Sequence, residues 1–316
     1  MKLRIGSRGS QLALWQANYI AGLLREQEHS VEIRIIKTTG DRLQEVTFAQ
    51  VGSKGMFTKE IEEALVGGSI DLAVHSLKDL PTDLPSPFTL AATPLRVDPR
   101  DAFVSVKYEN LAALPPGARV GTSSQRRRAQ LRALRPDIEA VEFRGNVDTR
   151  LRKLSEGQVD AILLAAAGLD RLEKTEWVRE RLDPKDFCPA AGQGALAIET
   201  RKSDAATIMA VQFLDDAATR FAVTVERAAL AALGGGCQVP IGIHCRPAAT
   251  PGKNVETWDE VFAVVADPET GKAVRVYHRV AHAGADPIAL GRLVAQMLID
   301  AGAGPLLAED PTRGTW

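Results

Sequence analysis

Asp71-Leu72-Ala73-Val74-His75-Ser76-Leu77-Lys78-Asp79-Leu80-Pro81 is the stretch on which the fold turns. Leu72, Ala73 and Val74 form an apolar run of the length of a buried strand, and the run ends in a histidine, a lysine and an aspartate. Pro81 keeps Leu80 out of the helical region, so the charged pair sits in a turn beyond the strand's end. In open α/β sheets ligands bind at that edge, and a carboxylate beside an ammonium stays ionised. Two readings stand: a strand delivering charge to a cleft, or a solvated turn with a surface ion pair. His75 reads more readily as a hydrogen-bonded strand-end residue than as a ligand or base.

On the N-terminal side, residues 3–5 read as a strand. The turn Gly6-Ser7-Arg8-Gly9-Ser10 follows, then a helix over 11–25 with Leu12, Trp15, Tyr19 and Leu23 on one stripe and Trp15 in the core. Backbone N–H groups at such a helix start attract anions, and Arg8 adds a charged fork. The glycine pattern is neither a P-loop nor a dinucleotide fingerprint. Residues 31–37 alternate as a second strand, 43–54 read as a binding loop or lid, and 58–66 read as a helix leading into the opening strand. The order β-α-β-α-β is a parallel-sheet signature.

On the C-terminal side, residues 93–100 with Pro94 and Pro99 read as a crossing into a second α/β domain over 100–188. Pro189-Ala190-Ala191-Gly192-Gln193-Gly194 reads as a second crossing, after which a strand near 195–199 completes the first domain's sheet. From about residue 217 the pattern becomes helix, glycine loop, three strands, helix, which predicts a small α+β domain with an antiparallel sheet. The expected domains are 1–95 with 195–213, 100–188, and 217–316. The expected fold class is two periplasmic-binding-protein-like α/β domains joined by a two-segment hinge, plus that α+β domain.

The totals exclude several classes. With 39 basic and 40 acidic residues, the chain is not built to coat nucleic acid or an anionic membrane. No apolar run reaches the roughly 18 residues that span a bilayer. The three cysteines, Cys188, Cys237 and Cys245, fit a reducing compartment and lack zinc-site spacing, and the N-terminus carries no signal or transit pattern. A cytoplasmic protein without a metal is expected.

Charge is nevertheless concentrated locally. Residues 119–153 hold ten basic side chains against four acids. Gly121-Thr122-Ser123-Ser124-Gln125-Arg126-Arg127 repeats the design of strand, small polar turn and helix start, and Phe143-Arg144-Gly145-Asn146 repeats it again. Arginines gathered at helix starts suit a ligand with many carboxylates or phosphates. A nucleic-acid groove would interleave more aromatics than Phe143 alone. Arg128, Arg132, Arg135 and Lys153 read as a solvated face. Cys237 follows Gly234-Gly235-Gly236, which strips bulk from around its thiol and favours a covalent anchor or nucleophile over a small buried side chain. His244 is a conceivable base for it, without a placement.

Taken in order, these motifs resemble the porphobilinogen deaminase (hydroxymethylbilane synthase) family. The matching segments are residues 6–16, 37–42, Lys54-Gly55-Met56-Phe57, 75–81, Asp98-Pro99-Arg100-Asp101, 121–127, 144–150, 189–194 and 234–242. Gln11 departs from a position where proline is frequent, and 43–54 is less basic than in some relatives. The resemblance implies a dipyrromethane cofactor held by a thioether to Cys237, one per chain. It implies addition of four porphobilinogen units head to tail with loss of ammonia, then hydrolysis to hydroxymethylbilane, which passes to the next enzyme of the pathway. It implies a monomer, with no nucleic-acid or membrane partner. It gives Asp79 the role of catalytic carboxylate against the azafulvene-like cation, and places Lys78, Asp79, Ser124, Arg126, Arg127 and Gly145 on the cofactor. Arg8, Ser10, Phe57, Arg144, Arg150 and Arg171 are implied substrate contacts, Phe57 by stacking on a pyrrole. The competing class is a hinged anion-binding or sensor protein without turnover, which has no use for Cys237.

Overall fold

A computed structural model describes residues 1–39, 58–235, 240–247, 258–282 and 284–307. The chain divides into two compact units, one of Met1–Val97 with Gly194–Arg220, the other of Asp98–Gln193 with the residues from Phe221 onward.

The first unit opens with β1 (Lys2–Ser7), α1 (Gln11–Glu26) and β2 (Ser30–Ile35). It continues through α2 (Lys59–Val66), β3 (Leu72–Ser76) and β4 (Phe88–Ala92). Helix α1 starts where Ser10 accepts a hydrogen bond from the Ala13 N–H, satisfying one donor that a helix start leaves over. Its buried face is Gln16, Ala17, Ile20, Ala21 and Leu24, against Leu3, Ile5, Leu72 and Val74. The expected stripe lies to one side of that face: Trp15 is only half-buried and stacks on exposed Tyr19 with ring centroids 5.3 Å apart. Two alanines let the helix approach the sheet more closely than the aromatic stripe would.

In the second unit β5 (Asp101–Val104), β6 (Arg119–Gly121), α3 (Gln125–Leu134), β7 (Glu139–Val141) and α4 (Val147–Ser155) follow. Then come β8 (Ala161–Ala165), α5 (Ala166–Arg171) and β9 (Val178–Arg181). Strand β10 (Leu196–Arg201) belongs to the first unit's sheet, followed by α6 (Ala205–Val211) and α7 (Ala217–Ala232). The antiparallel strands β11 (Ile241–Arg246), β12 (Trp258–Ala266) and β13 (Ala273–Ala281), and helix α8 (Pro287–Leu298), complete the second unit.

The two five-stranded sheets share one order, β2-β1-β3-β10-β4 and β7-β6-β8-β5-β9. In each, three strands are parallel, as the β-α-β-α-β reading requires. The fourth strand is antiparallel, which that reading did not foresee. The reason lies in how the chain arrives. Both β5 and β10 follow a crossing between units, and each enters beside the carboxyl end of its neighbour, Asp101 opposite Ala165 and Leu196 opposite Ser76. A chain entering there can only run backwards. In the first unit the seam is tied by buried His75, whose Nε2 lies 2.9 Å from Glu199, so the hydrogen-bonded reading of His75 holds.

The third sheet, β11-β12-β13, packs one face on α7 and α8 through Ile243, Val261, Val265, Val225 and Val294. Gly291 makes that packing possible: a Cβ there would stand 2.4 Å from the Val225 carbonyl oxygen. The opposite face packs Phe262, Val264 and Ala266 on Cys188 and Ala129.

At the start of the second unit, Asp98 accepts hydrogen bonds from Arg100 (2.7 Å) and Arg181 (2.8 Å), and Arg181 also grips Asp170. Burial by itself would raise the Asp98 pKa, but the two guanidiniums outweigh it and hold the carboxyl at about 2. The folded value lies below the unfolded one, so this stability is present at and above pH ~4 and is lost as pH falls through about 2. Asp98→Asn should therefore flatten the acid limb: the stability gap between wild type and variant should shrink by ~2 kcal/mol between pH 5 and pH 2 in urea titrations. A gap constant with pH would contradict this.

Candidate active site

Each unit presents polar groups at the carboxyl ends of its parallel strands. In the first, β1 and β3 run in register, Ile5 opposite Leu72 and Gly6 opposite Ala73, so both end on one edge. Beyond β1 stand Arg8, half-buried, and Ser10, the helix cap. Beyond β3 the chain makes a 3₁₀ turn, Leu77–Asp79. Leu77 and Leu80 are buried on either side of the charged pair. The Leu77 N–H donates to the Ala195 carbonyl at 3.0 Å, and Gln16 Nε2 donates to Ser76 Oγ at 2.9 Å. Leu80 is extended, φ −91° and ψ 132°, as the residue before proline should be. On this pinned turn Lys78 is half-buried and Asp79 exposed, its carboxylate taking no hydrogen bond or ion pair from any described residue. The surface ion pair considered for this turn is not what the structure shows for Asp79.

In the second unit β6 and β7 end in the turns that carry Ser124 and Arg144, and β8 runs into α5, which ends at Arg171. Ser124 caps α3, accepting from the Arg127 N–H. Arg126 and Arg127 are turned inward, 4% and 6% exposed, onto fully buried Asp101. Arg126 reaches it at 2.7 and 3.2 Å, Arg127 at 2.9 and 2.7 Å. Arg126 also donates to the Cys188 carbonyl and Arg127 to that of Leu163. Gln193, in the second crossing, donates to Asp101 at 2.9 Å and to the Pro99 carbonyl at 2.8 Å. Burial would raise the Asp101 pKa, yet the two guanidiniums hold it well below the usual carboxylate range. Two arginines and one acid leave the node positive. Asp101 and Gln193 were quoted from the sequence only as parts of motifs. The available signal was an acid opening a strand, Asp101–Val104, that is buried throughout.

Gly145 has φ +127°, and a Cβ on it would press within 2.7 Å of Thr149, so the turn before α4 requires glycine. Asn146 caps α4 through the Thr149 N–H. Arg144 pairs with Glu142 at 2.6 Å. Arg171, at the end of α5, is buried. Arg150, on α4, differs from all of these. Its Nε is buried with no hydrogen-bond partner, and it makes no ion pair among the described residues. Burial, with the like charges of Arg127 and Arg144, pushes its pKa down to about 10. Glu142 opposes that shift but is already paired with Arg144 and Arg128, so a ligand's carboxylate would complete Arg150.

The expected solvated face holds in part. Arg132 is exposed and Arg128 faces Glu142, whereas Lys153 sits 5.7 Å over the Phe143 ring and Arg135 grips Asp137 and the carbonyls of Leu111 and Leu114. His244 lies 3.2 Å from buried Glu226, which also accepts the Gly192 and Cys245 N–H groups. That engagement makes it a structural histidine. Cys237 and Phe57 lie outside the described residues. Among the described residues no cluster of His, Cys, Asp or Glu could hold a metal.

Residues 3–209 match the family model described as "Porphobilinogen deaminase, dipyromethane cofactor binding domain", and residues 220–300 match "Porphobilinogen deaminase, C-terminal domain". A porphobilinogen deaminase of Nitratidesulfovibrio vulgaris is 48% identical over 98% of this chain and 96% of its own. One of Brevibacillus brevis is 47% identical over 98% and 97%. Among solved structures, a periplasmic substrate-binding protein of an ABC transporter from Coxiella burnetii overlays 69% of this chain and 94% of its own, with TM-score 0.44 and 14% identity.

Arg150 separates a ligand-holding arginine from a structural one. Arg150→Met removes a half-buried charge that Arg127 and Arg144 oppose, so the melting temperature at low salt should hold or rise, by up to ~2 kcal/mol of stability. Millimolar citrate should stabilise the wild type and have little effect on the variant. A lower melting temperature with an unchanged citrate response would assign Arg150 to the scaffold.

Proposed function

The chain belongs to the porphobilinogen deaminase family, and from this we propose that it polymerises four porphobilinogen molecules head to tail, releasing ammonia at each addition and finally hydroxymethylbilane. The observation that carries the reading is Arg150, a half-buried arginine whose Nε is buried without a hydrogen-bond partner among the described residues, beside two further arginines. Every pyrrole unit of this chemistry bears an acetate and a propionate, so cofactor and growing chain are polyanions, and the donor set fits them. Dipyrromethane, when bound, supplies the primer to which rings are added, and Cys237 would hold it by a thioether.

What the chain's own residues do follows from their charge and setting. Arg144, Arg150 and Arg171 take carboxylates, with Arg8 and Ser10 doing the same on the first unit. Arg126 and Arg127, committed to Asp101, contribute a positive field and their remaining donors. Ser124 and the Gly145 turn let a ligand reach the helix starts. Asp79 is held still by the buried leucines beside it and keeps its carboxylate open, so it can accept pyrrole N–H groups and stabilise the cation that develops as ammonia leaves. No helix among the described residues is long and apolar enough to cross a membrane, and Cys188 and Cys245 are free and buried. We read the protein as a cytoplasmic monomer that passes its product to the next enzyme of tetrapyrrole synthesis.

Asp79→Asn should lower kcat by ~10²–10⁴-fold with the melting temperature unchanged, because the carboxylate has no partner among the described residues to lose. Ammonia release at the wild-type rate would remove Asp79 from the mechanism. Intact-mass spectrometry of the purified protein should show an excess equal to two condensed porphobilinogen units, absent from Cys237→Ser. Equal masses for the two proteins would end the attachment assignment, and a wild type that binds porphobilinogen without releasing ammonia would favour a sensor.

A further inference from the structure

The outer face of the third sheet carries a cavity that the proposed reaction does not use. Its volume is about 450 Å³, the size of a small-molecule site, and its lining includes Pro184, Lys185, Cys188, Phe262, Arg275 and Tyr277. The Phe262 and Tyr277 rings stand 5.2 Å apart and give it apolar walls. Arg275 and Lys185 give it positive charge, and among the described residues no carboxylate lines it. Glu260, which accepts the Tyr277 hydroxyl, is itself neutralised by Arg246. The Arg275 guanidinium, at an exposed position of β13, donates to the Lys185 carbonyl at 3.5 Å, with the opposite charge of Asp186 nearby.

We infer that this cavity is a second binding site, for a small flat anion: an aromatic ring system against Phe262 and Tyr277, with its acidic group on Arg275. Cys188 connects the cavity to the arginine node. Its thiol donates to the Phe262 carbonyl at 3.3 Å, and its own carbonyl accepts from Arg126 at 2.7 Å and Gln130 at 2.9 Å. Occupancy here bears on the segment that holds Arg126, so the two sites influence each other by equal factors. That linkage rests on the reading of Arg126 given above, whereas binding in the cavity does not.

The test uses the full chain and 8-anilinonaphthalene-1-sulfonate, a flat aromatic sulfonate whose fluorescence rises in apolar surroundings. Wild type should bind it saturably. Arg275→Gln should bind about tenfold more weakly, Arg275→Lys should lose less, and Arg150→Met should match wild type. Uncharged N-phenyl-1-naphthylamine should not distinguish wild type from Arg275→Gln. Equal sulfonate affinity in wild type and Arg275→Gln overturns the site, as does its loss in Arg150→Met. Saturating sulfonate should shift the KM for porphobilinogen in wild type and not in Arg275→Gln; identical responses overturn the linkage. Absence of ammonia release before any sulfonate is added would instead fault the catalytic reading.

Discussion

Asp101 is a carboxylate taken wholly out of water, and much of the second unit is arranged to make that tolerable. Removing an ion from water costs several kcal/mol even after relaxation, so the site must supply charge and hydrogen bonds together. Five hydrogen bonds converge on it, from Arg126, Arg127 and Gln193. Those donors come from a helix start and from the second crossing, and Gln193 reaches on to the first crossing at Pro99. One buried charge thus fixes the orientation of α3, the conformation of both crossings and the aim of two guanidiniums.

Against that saturated node, two groups are left incomplete, one in each unit. Among the described residues, Arg150 is a half-buried cation that makes no ion pair, and Asp79 an exposed anion that makes none. Burial magnifies the first and solvent tempers the second, so their roles differ in kind. A guanidinium held among like charges binds carboxylates in order to be relieved. An acid kept free of partners retains its charge for a cation that exists only during reaction.

The elements whose letters carry strong local signals were legible: the strand ending near His75, the turn before Pro81, and the helix starts after the polar turns at Ser10 and Ser124. Period and turn chemistry are properties of neighbouring residues, which a sequence displays directly. What stayed hidden depends on distant partners. The antiparallel sense of β5 and β10 follows from the edge at which the chain re-enters, and the buried face of α1 from small alanines that the larger Trp15 and Tyr19 overshadowed. The resemblance singles out Arg126 and Arg127, but their commitment to Asp101, about 25 residues upstream, is not legible in the sequence. Arg135 and His244 were likewise unreadable until Leu111 and Glu226 were placed beside them.

The interleaved sheets also set a timetable for synthesis. As the chain leaves the ribosome, the first sheet can assemble β1, β2 and β3 early, but β10 is still to come when the whole of the second five-stranded sheet has emerged. Until then β3 is an open edge, with His75 lacking Glu199 and a buried strand's backbone unpaired, the condition that invites wrong pairing between chains. The inserted unit's sheet draws every strand from one continuous stretch, so it can close first and hold the ends of both crossings near each other before β10 arrives. Gln193, which joins those crossings, stands immediately before the returning strand, where it can serve nascent-chain assembly as well as the finished enzyme.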